Sequence, residues 1–198
     1  MTDTLLALVP VYGPWFLAAV TFLSCLAVPV PSSVLMLAAG GFAASGDLDP
    51  AAVVAGALAG AVLGDQAGFA AGRAGGPGLI ARISRHPGRA RILERARALL
   101  RRHGAVAVFL TRWLFSPVGP WANVAAGAGG LGWGRFTLWG VLGEIVWVGL
   151  YTGIGHVFAG NLEAAGDLLS SALGLVGGIA AMVAAGLWLR ASARRAAH

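Results

Sequence analysis

The chain alternates between long apolar runs and short polar segments. Two runs, residues 51–72 and 133–156, contain no proline, and each is long enough for a helix to cross a membrane of about 30 Å. Runs at residues 5–42 and 105–127 are also strongly apolar, but prolines interrupt them, and proline breaks a helix interior. A last apolar run covers residues 168–190. The pattern predicts an all-α polytopic membrane protein with a C-terminal transmembrane helix.

Composition supports a membrane protein and excludes several other classes. Of the 198 residues, 58% are hydrophobic and 11% are charged, a balance typical of integral membrane proteins. The single cysteine cannot form an intrachain disulfide. There is no HExxH motif, no histidine–cysteine cluster with metal-ligand spacing, and no lysine for lysine-dependent chemistry. We therefore expect one membrane domain, residues 1–198, that is not an enzyme and binds no cofactor, metal or nucleic acid.

An arginine-rich segment, residues 80–103, separates the two halves of the chain. At 100° per residue its apolar side chains share an arc of about 120°, and the arginines lie outside that arc. The apolar residues in the arc are Ile92, Leu93, Ala96, Leu99 and Leu100. The spacing predicts a cytoplasmic amphipathic helix on the membrane surface, whose arginines attract anionic headgroups. The alternative is a solvated connector.

The distribution of charge predicts which segments cross the membrane. Arg73, Arg135 and the basic C-terminal tail indicate the cytoplasmic side, whereas the acidic segment "SGDLDP" indicates the outside. This assignment requires residues 105–127 to enter the membrane from the cytoplasm and return to it. Pro117 and Pro120 lie near the middle of that run. We therefore predict a re-entrant hairpin, which is tolerated where protein or a water-filled cavity covers the exposed backbone.

The two proline-broken runs resemble each other, which indicates an internal duplication. "FLSCLAVPVPSSVLMLAAGG", with breaks at Pro29 and Pro31, aligns with "FLTRWLFSPVGPWANVAAGAGG", and an intact run follows each. We predict a first repeat, residues 5–73 with its preceding N-terminal helix, and a second repeat, residues 104–160, of opposite orientation. Inverted repeats with broken helices in matching positions point to a transporter substrate site. Chance similarity between two apolar segments is the alternative.

Three charged residues fall within the predicted membrane segments, where charge is costly and usually functional. The guanidinium of Arg112 offers a donor fork that suits phosphate, although a structural salt bridge to Asp65 or Glu144 is the alternative. These two acidic residues are in turn candidate proton carriers, or ion-pair partners of Arg112. Further candidates for substrate binding, which could equally satisfy backbone groups of the hairpins, are Asn123, Ser24 and Ser33.

These segments resemble the DedA family, which shares its core with the VTT-domain lipid scramblases of the SNARE-associated Golgi protein superfamily. "VPVPSSVLMLAAGGFAA" is similar to the family's Pro-x-Pro hairpin. "LGDQAGFAAGRAGG" resembles its Gly-Asp and Gly-Arg signature at Gly64, Asp65, Gly72 and Arg73. The resemblance implies two opposed re-entrant hairpins and transport of undecaprenyl phosphate or phospholipid across the bacterial inner membrane, driven by the proton motive force.

The chain departs from the family pattern at positions that bear on proton coupling. Family members commonly carry acidic residues where this chain has Ser24 and Ser33, and many carry a second arginine shortly after the one matching Arg112. Here the nearest polar residue is Asn123. Either other carboxyl groups couple transport to protons, or the lipid equilibrates passively.

The sequence thus predicts a multi-pass inner-membrane flippase or scramblase for a lipid that carries phosphate. Its partners would be anionic membrane lipids, and a homo-oligomer is left open. A non-transporting scaffold with structural ion pairs and a small-anion transporter are the alternatives.

Overall fold

The computed structural model describes residues 2–113 and 116–159, and all of the regular structure in these ranges is helical. Seven α-helices and one 3₁₀ turn follow one another along this part of the chain. They are α1 (Thr2–Cys25), α2 (Ser32–Ala44), α3 (Pro50–Ile83), α4 (Pro87–His103), α5 (Val106–Trp113), the 3₁₀ turn Ser116–Val118, α6 (Gly119–Ala128) and α7 (Trp133–Val157). The C-terminal transmembrane helix predicted at residues 168–190 lies outside the described residues.

Two of these helices, α3 and α7, are long and apolar enough to cross a membrane. The bounds of α7 differ by one residue from the predicted run. Helix α3 continues past its predicted end through a kink at Gly76, which has a φ of 46° and lies directly before Pro77. Helix α1 bends in the same way, at Gly13 with φ of 51° before Pro14. In both kinks glycine adopts the left-handed conformation, and the proline then starts the next helical segment.

The two proline-broken runs each fold into a helical hairpin. Hairpin 1 comprises the second half of α1, a turn at residues 26–31, and α2; hairpin 2 comprises α5, the 3₁₀ turn and α6. Helices α2, α5 and α6 contain 13, 8 and 10 residues. At 1.5 Å per residue these helices reach about 20 Å or less, which is too short to cross a hydrocarbon core of about 30 Å.

Each hairpin packs one of its helices on α3 and the other on α7. The first helix of each hairpin packs on the long helix that follows it, α1 on α3 and α5 on α7. The second helix packs on the long helix of the other half, α2 on α7 and α6 on α3. The two halves therefore interlock, and neither hairpin is packed by its own half alone.

Glycine makes these close contacts possible. A Cβ atom at Gly40 of α2 would overlap the carbonyl oxygen of Thr152 in α7, and one at Gly155 would overlap the carbonyl oxygen of Leu37. The contact between α3 and α6 has the same form: Gly127 faces the carbonyl of Phe69, and Gly72 faces that of Val124. Small residues let helix backbones approach closely in membrane proteins.

Helix α4 differs from the predicted surface helix in its start and in its packing. It begins at Pro87 rather than residue 80, because residues 84–86 form a turn and His86 is extended before the proline. Its apolar face is covered by protein: Leu93 and Ala96 are buried against Ile80 and two alanines of α6. The apolar residues of α4 therefore share one face, as predicted, but the centre of that face packs on α6 instead of facing lipid.

Candidate functional site

Five helices each contribute one side chain to a buried polar cluster between the two hairpins. The members are Cys25 from α1, Asp65 from α3, Arg112 from α5, Asn123 from α6 and Glu144 from α7. None is more than 8% exposed, although three of them are ordinarily charged. A buried charge is costly unless it is paired, and in the cluster one guanidinium pairs with both carboxylates.

The guanidinium of Arg112 lies at the centre of the cluster. Its Nη2 atom is 3.0 Å from Oδ2 of Asp65, and its Nε atom is 3.3 Å from Oε1 of Glu144. The same Nη2 donates a hydrogen bond of 2.7 Å to Oδ1 of Asn123. The amide of Asn123 then donates a bond of 2.9 Å to the other oxygen of Asp65. The phenyl ring of Phe136 lies 5.9 Å from the guanidinium carbon and covers one side of it.

Two carboxylates face one guanidinium in this cluster, so its formal charge is not balanced by arginine alone. Ligand atoms of Asp65, Glu144 and Cys25 lie within 4.8 Å of one another, a spacing at which three groups could share a metal ion. Arg112 already contacts both carboxylates, however, and a metal would have to displace it. Arg112 thus supplies the positive charge that a metal ion would otherwise bring to these carboxylates.

A small pocket of about 30 Å³ opens beside the cluster. It is lined by Ser24, Cys25, Thr111, Arg112, Gly119, Pro120, Glu144 and Trp147. Two buried polar atoms of this lining, Oε2 of Glu144 and Nε1 of Trp147, make no hydrogen bond to the described residues. Buried polar atoms of this kind are generally satisfied by water or a ligand, and the pocket is large enough for one water-sized group.

A larger groove, of about 410 Å³, lies between the turns of the two hairpins. It is lined by Ser24, Ala27, Val28, Pro29, Val30, Pro31, Ser32, Ser33, Val34, Pro117, Pro120 and Trp121. The four prolines of the two hairpin breaks, Pro29, Pro31, Pro117 and Pro120, thus line one groove. Ser24 and Pro120 also line the small pocket, so the groove and the pocket beside the Arg112 cluster share part of their walls.

The predicted site residues separate into three groups. Asp65, Arg112, Asn123 and Glu144 come together in the cluster, and the Arg112 salt bridge considered as the alternative is present with both acidic partners. The hairpin serines lie in the groove: Ser32 donates a hydrogen bond of 3.0 Å to the hydroxyl of Ser24, and Ser33 lines the wall.

Of the rest of the predicted signature, Gly72 and Arg73 lie away from the cluster, whereas Gly64 packs against Cys25. Arg73 donates a hydrogen bond of 3.0 Å to the carbonyl of Leu131 and stands over Phe69, which ties α3 to the start of α7. Gly64 and Gly72 serve helix packing. Glycine is required at these two positions because a neighbouring helix backbone comes close there, and not because a ligand does.

Sequence reasoning missed two members of the site, Cys25 and Trp147. Trp147 is one turn from Glu144 on α7. Cys25 could have been found, because the alignment of the two hairpins places it at the position of Arg112. Its burial beside both carboxylates follows from that equivalence.

A model of the VTT domain matches residues 30–157, well over half of the chain. The chain belongs to the VTT domain family. This is the domain of the DedA and SNARE-associated Golgi proteins, so the resemblance seen in the sequence is confirmed. The protein is a helical membrane protein of DedA type. No curated protein and no solved structure matches the chain.

The matched VTT domain contains four of the five cluster residues and the 3₁₀ turn of hairpin 2, but only the last two residues, 30–31, of the turn of hairpin 1. Cys25 precedes the match. The polar cluster is thus built within the domain that defines the family, with one addition from α1.

Proposed function

We propose that this VTT-domain protein moves a phosphate-bearing lipid, such as a phospholipid or undecaprenyl phosphate, across the bacterial inner membrane as a flippase or scramblase. It acts without covalent chemistry and holds no cofactor. The observation that carries the proposal is the groove between the hairpin turns, which shares Ser24 and Pro120 with the small pocket that Arg112 lines. A headgroup in this groove would be shielded from the hydrocarbon while its acyl chains stayed in lipid.

The hairpin geometry supports re-entry into the membrane from opposite sides. Helices α2, α5 and α6 are too short to span, and their turns meet at one groove instead of emerging at separate surfaces. Interrupted helices at membrane depth are tolerated where they line a cavity, and inverted repeats commonly place a substrate site at their junction. Arg112 lies at that junction.

Phosphate binding would require Arg112 to exchange its present partners. The guanidinium fork binds phosphate and carboxylate with the same bidentate geometry, so a lipid phosphate competes with Asp65 and Glu144. A proton taken up by either carboxyl group removes one competitor. This competition would couple lipid binding to protons without the acidic residues that the family commonly has at positions 24 and 33.

The ion pairs also support a second candidate, a non-transporting scaffold. Arg112 is bound to carboxylates from both halves and could act only to hold the hairpins together. A small-anion transporter would use the same arginine. These three functions differ in what crosses the membrane, so transport assays separate them.

Reconstitution into liposomes with fluorescently labelled lipids tests the proposal. We expect a labelled anionic phospholipid to move between leaflets in proteoliposomes much faster than in protein-free liposomes. A variant Arg135→Gln, which removes an exposed arginine of α7, should transport like the parent, whereas Arg112→Gln should not. Absence of flipping for every lipid would favour the scaffold, and uptake of inorganic phosphate without flipping would favour anion transport. Flipping that ignores an imposed pH gradient would exclude obligatory proton coupling.

Topology can be tested separately with single cysteines introduced after Cys25→Ser. Positions 104 and 130 flank hairpin 2, and both should react with an impermeant maleimide from the cytoplasmic side only. Reaction of one of them from the outside would mean that residues 105–127 cross the membrane completely. That result would exclude the inverted arrangement of the hairpins.

A further inference from the structure

Two grooves flank helix α4, one on each side of its buried face. The first, about 380 Å³, has Arg97 and Arg101 at its edge. The second, about 440 Å³, is lined by Arg95, Ala98, Leu99, Arg102, His103 and Val118. We refer to the second as the arginine groove. Residues of one helix that are three, four or seven positions apart share a face, which is why each groove collects its own pair of arginines.

The two pairs of arginines differ in their counter-charge. Glu94 is the only acidic residue of α4, and it lies 2.9 Å from Arg101 and 3.9 Å from Arg97. The hydrogen bond from Arg101 lowers the pKa of Glu94 below its ordinary value, so this carboxylate stays ionised and offsets one of the two positive charges of the first pair. The arginine groove contains no acidic residue, and within the described residues no carboxylate forms a salt bridge with Arg95 or Arg102.

The arginine groove adjoins the hairpin groove of the proposed transport site. Val118, which lines the arginine groove, belongs to the 3₁₀ turn of hairpin 2, and Pro117 of the same turn lines the hairpin groove. The side chains of Leu99 and Val118 give the arginine groove an apolar wall beside its cationic rim. A cationic rim with an apolar wall matches an anionic headgroup followed by an acyl chain.

We propose that the arginine groove is a docking site for the anionic phosphate headgroup of a membrane lipid, held by Arg95 and Arg102 with its acyl chain along Leu99 and Val118. The inference rests on the proposed function, for which the site would hold lipid next to the hairpin groove. It differs from general attraction of basic residues to membranes, because only one of the two arginine pairs is free of an acidic neighbour.

Binding can be measured in detergent, where no transport is needed. The protein carries Cys25→Ser and Ala98→Cys, and the new cysteine, at an exposed position of the groove, is labelled with an environment-sensitive fluorophore. The probe is dihexanoyl phosphatidic acid; dihexanoyl phosphatidylcholine and inorganic phosphate are the comparison ligands. We expect a saturable fluorescence change with phosphatidic acid, and binding at least tenfold weaker with either comparison ligand.

Two double variants remove the same charge from the two sides of α4. Arg95→Gln with Arg102→Gln should weaken phosphatidic acid binding about 30-fold, given roughly 1 kcal/mol per arginine near a lipid surface and a factor of ten per 1.4 kcal/mol. Arg97→Gln with Arg101→Gln should change it by less than about threefold, because both arginines already form salt bridges with Glu94. All four arginines are at least partly exposed, so both variants should fold.

Four results would overturn the proposal. Equal weakening in the two double variants would mean that binding is general charge attraction. Equal affinity for phosphatidylcholine would mean that the site does not recognise the charge of the headgroup. Equal affinity for inorganic phosphate would mean that the site does not recognise the acyl chains. A parent protein without saturable binding would also refute it. If binding behaves as expected but liposomes show no flipping, the proposed function fails while the docking site remains.

Discussion

The two halves of the protein build the same frame but place different chemistry in it. In the first half a Cβ at Gly64 would lie 2.6 Å from the carbonyl oxygen of Phe22 and 2.8 Å from the Cβ of Cys25. In the second half a Cβ at Gly143 would lie 3.1 Å from the carbonyl oxygen of Phe109 and 3.0 Å from the Cβ of Arg112. An acidic residue follows each glycine. Cysteine and arginine therefore occupy equivalent places, each beside a carboxylate.

This comparison shows that one guanidinium serves two equivalent carboxylates. Arg112 contacts Glu144 of its own half and Asp65 of the other, whereas Cys25 has no positive charge to offer. The first half alone would leave Asp65 buried without a cation. The site therefore exists only when the halves interlock, and its asymmetry comes from the residue that differs between two otherwise equivalent positions.

The largest expected difference is between substitutions at the two equivalent positions. Arg112→Ala leaves two buried carboxylates without their cation, and breaking a buried pair destabilises by about 3–5 kcal/mol. Cys25→Ala removes only a small buried thiol, and we expect a loss of about 1 kcal/mol. Thermal or denaturant unfolding in a fixed detergent measures both. Losses of similar size would contradict the assignment of the shared charge to Arg112.

Substitutions at the interlocking glycines sharpen the comparison by testing whether the halves are equivalent. Gly40→Ala and Gly127→Ala each force a methyl group against a backbone carbonyl, of Thr152 and Phe69 respectively, and overpacking of this kind costs about 1–3 kcal/mol. Gly153→Ala is the control, because no atom lies within 4 Å of its added Cβ. We expect it to change stability by less than about 0.5 kcal/mol. A loss at one of the first two glycines only would show that the halves are packed differently.

The smallest effect is expected in the hairpin groove. Ser24→Ala removes a hydroxyl pair with Ser32 that is only partly buried, and one such hydrogen bond contributes about 0.5–1.5 kcal/mol. We expect a stability change at the low end of that range, with flipping retained. Unfolding and liposome assays on the same preparation measure both. Complete loss of flipping in a stable Ser24→Ala protein would mean that the essential lipid contact is made by the groove wall and not by Arg112.

The parts of the fold that the sequence could predict depend on local pattern. The ends of α7 follow from an uninterrupted apolar run, and the hairpin breaks follow from prolines that cannot continue a helix. The equivalence of Cys25 and Arg112 was present in the alignment as well. The covering of Leu93 by α6 was not, because an amphipathic face looks the same whether it contacts lipid or protein.

Local sequence patterns also could not predict which residues come together in the site. Burial cost predicted that Arg112 would seek an acidic partner but left Asp65 and Glu144 as alternatives, whereas it contacts both. The two carboxylates come together because α3 packs directly on α7, a contact that no local pattern shows. Asn123 joins them because α6 packs on the long helix of the other half.

The most direct test of the account is a cycle of Arg112→Ala, Glu144→Gln and the double variant, measured for both stability and lipid flipping. If Arg112 is the lipid contact as well as the shared cation, the double variant should recover part of the stability lost in Arg112→Ala, because one unpaired carboxylate is gone, but it should recover no flipping. Recovery of flipping together with stability would contradict the account, since Arg112 would then be needed only to hold the two halves together.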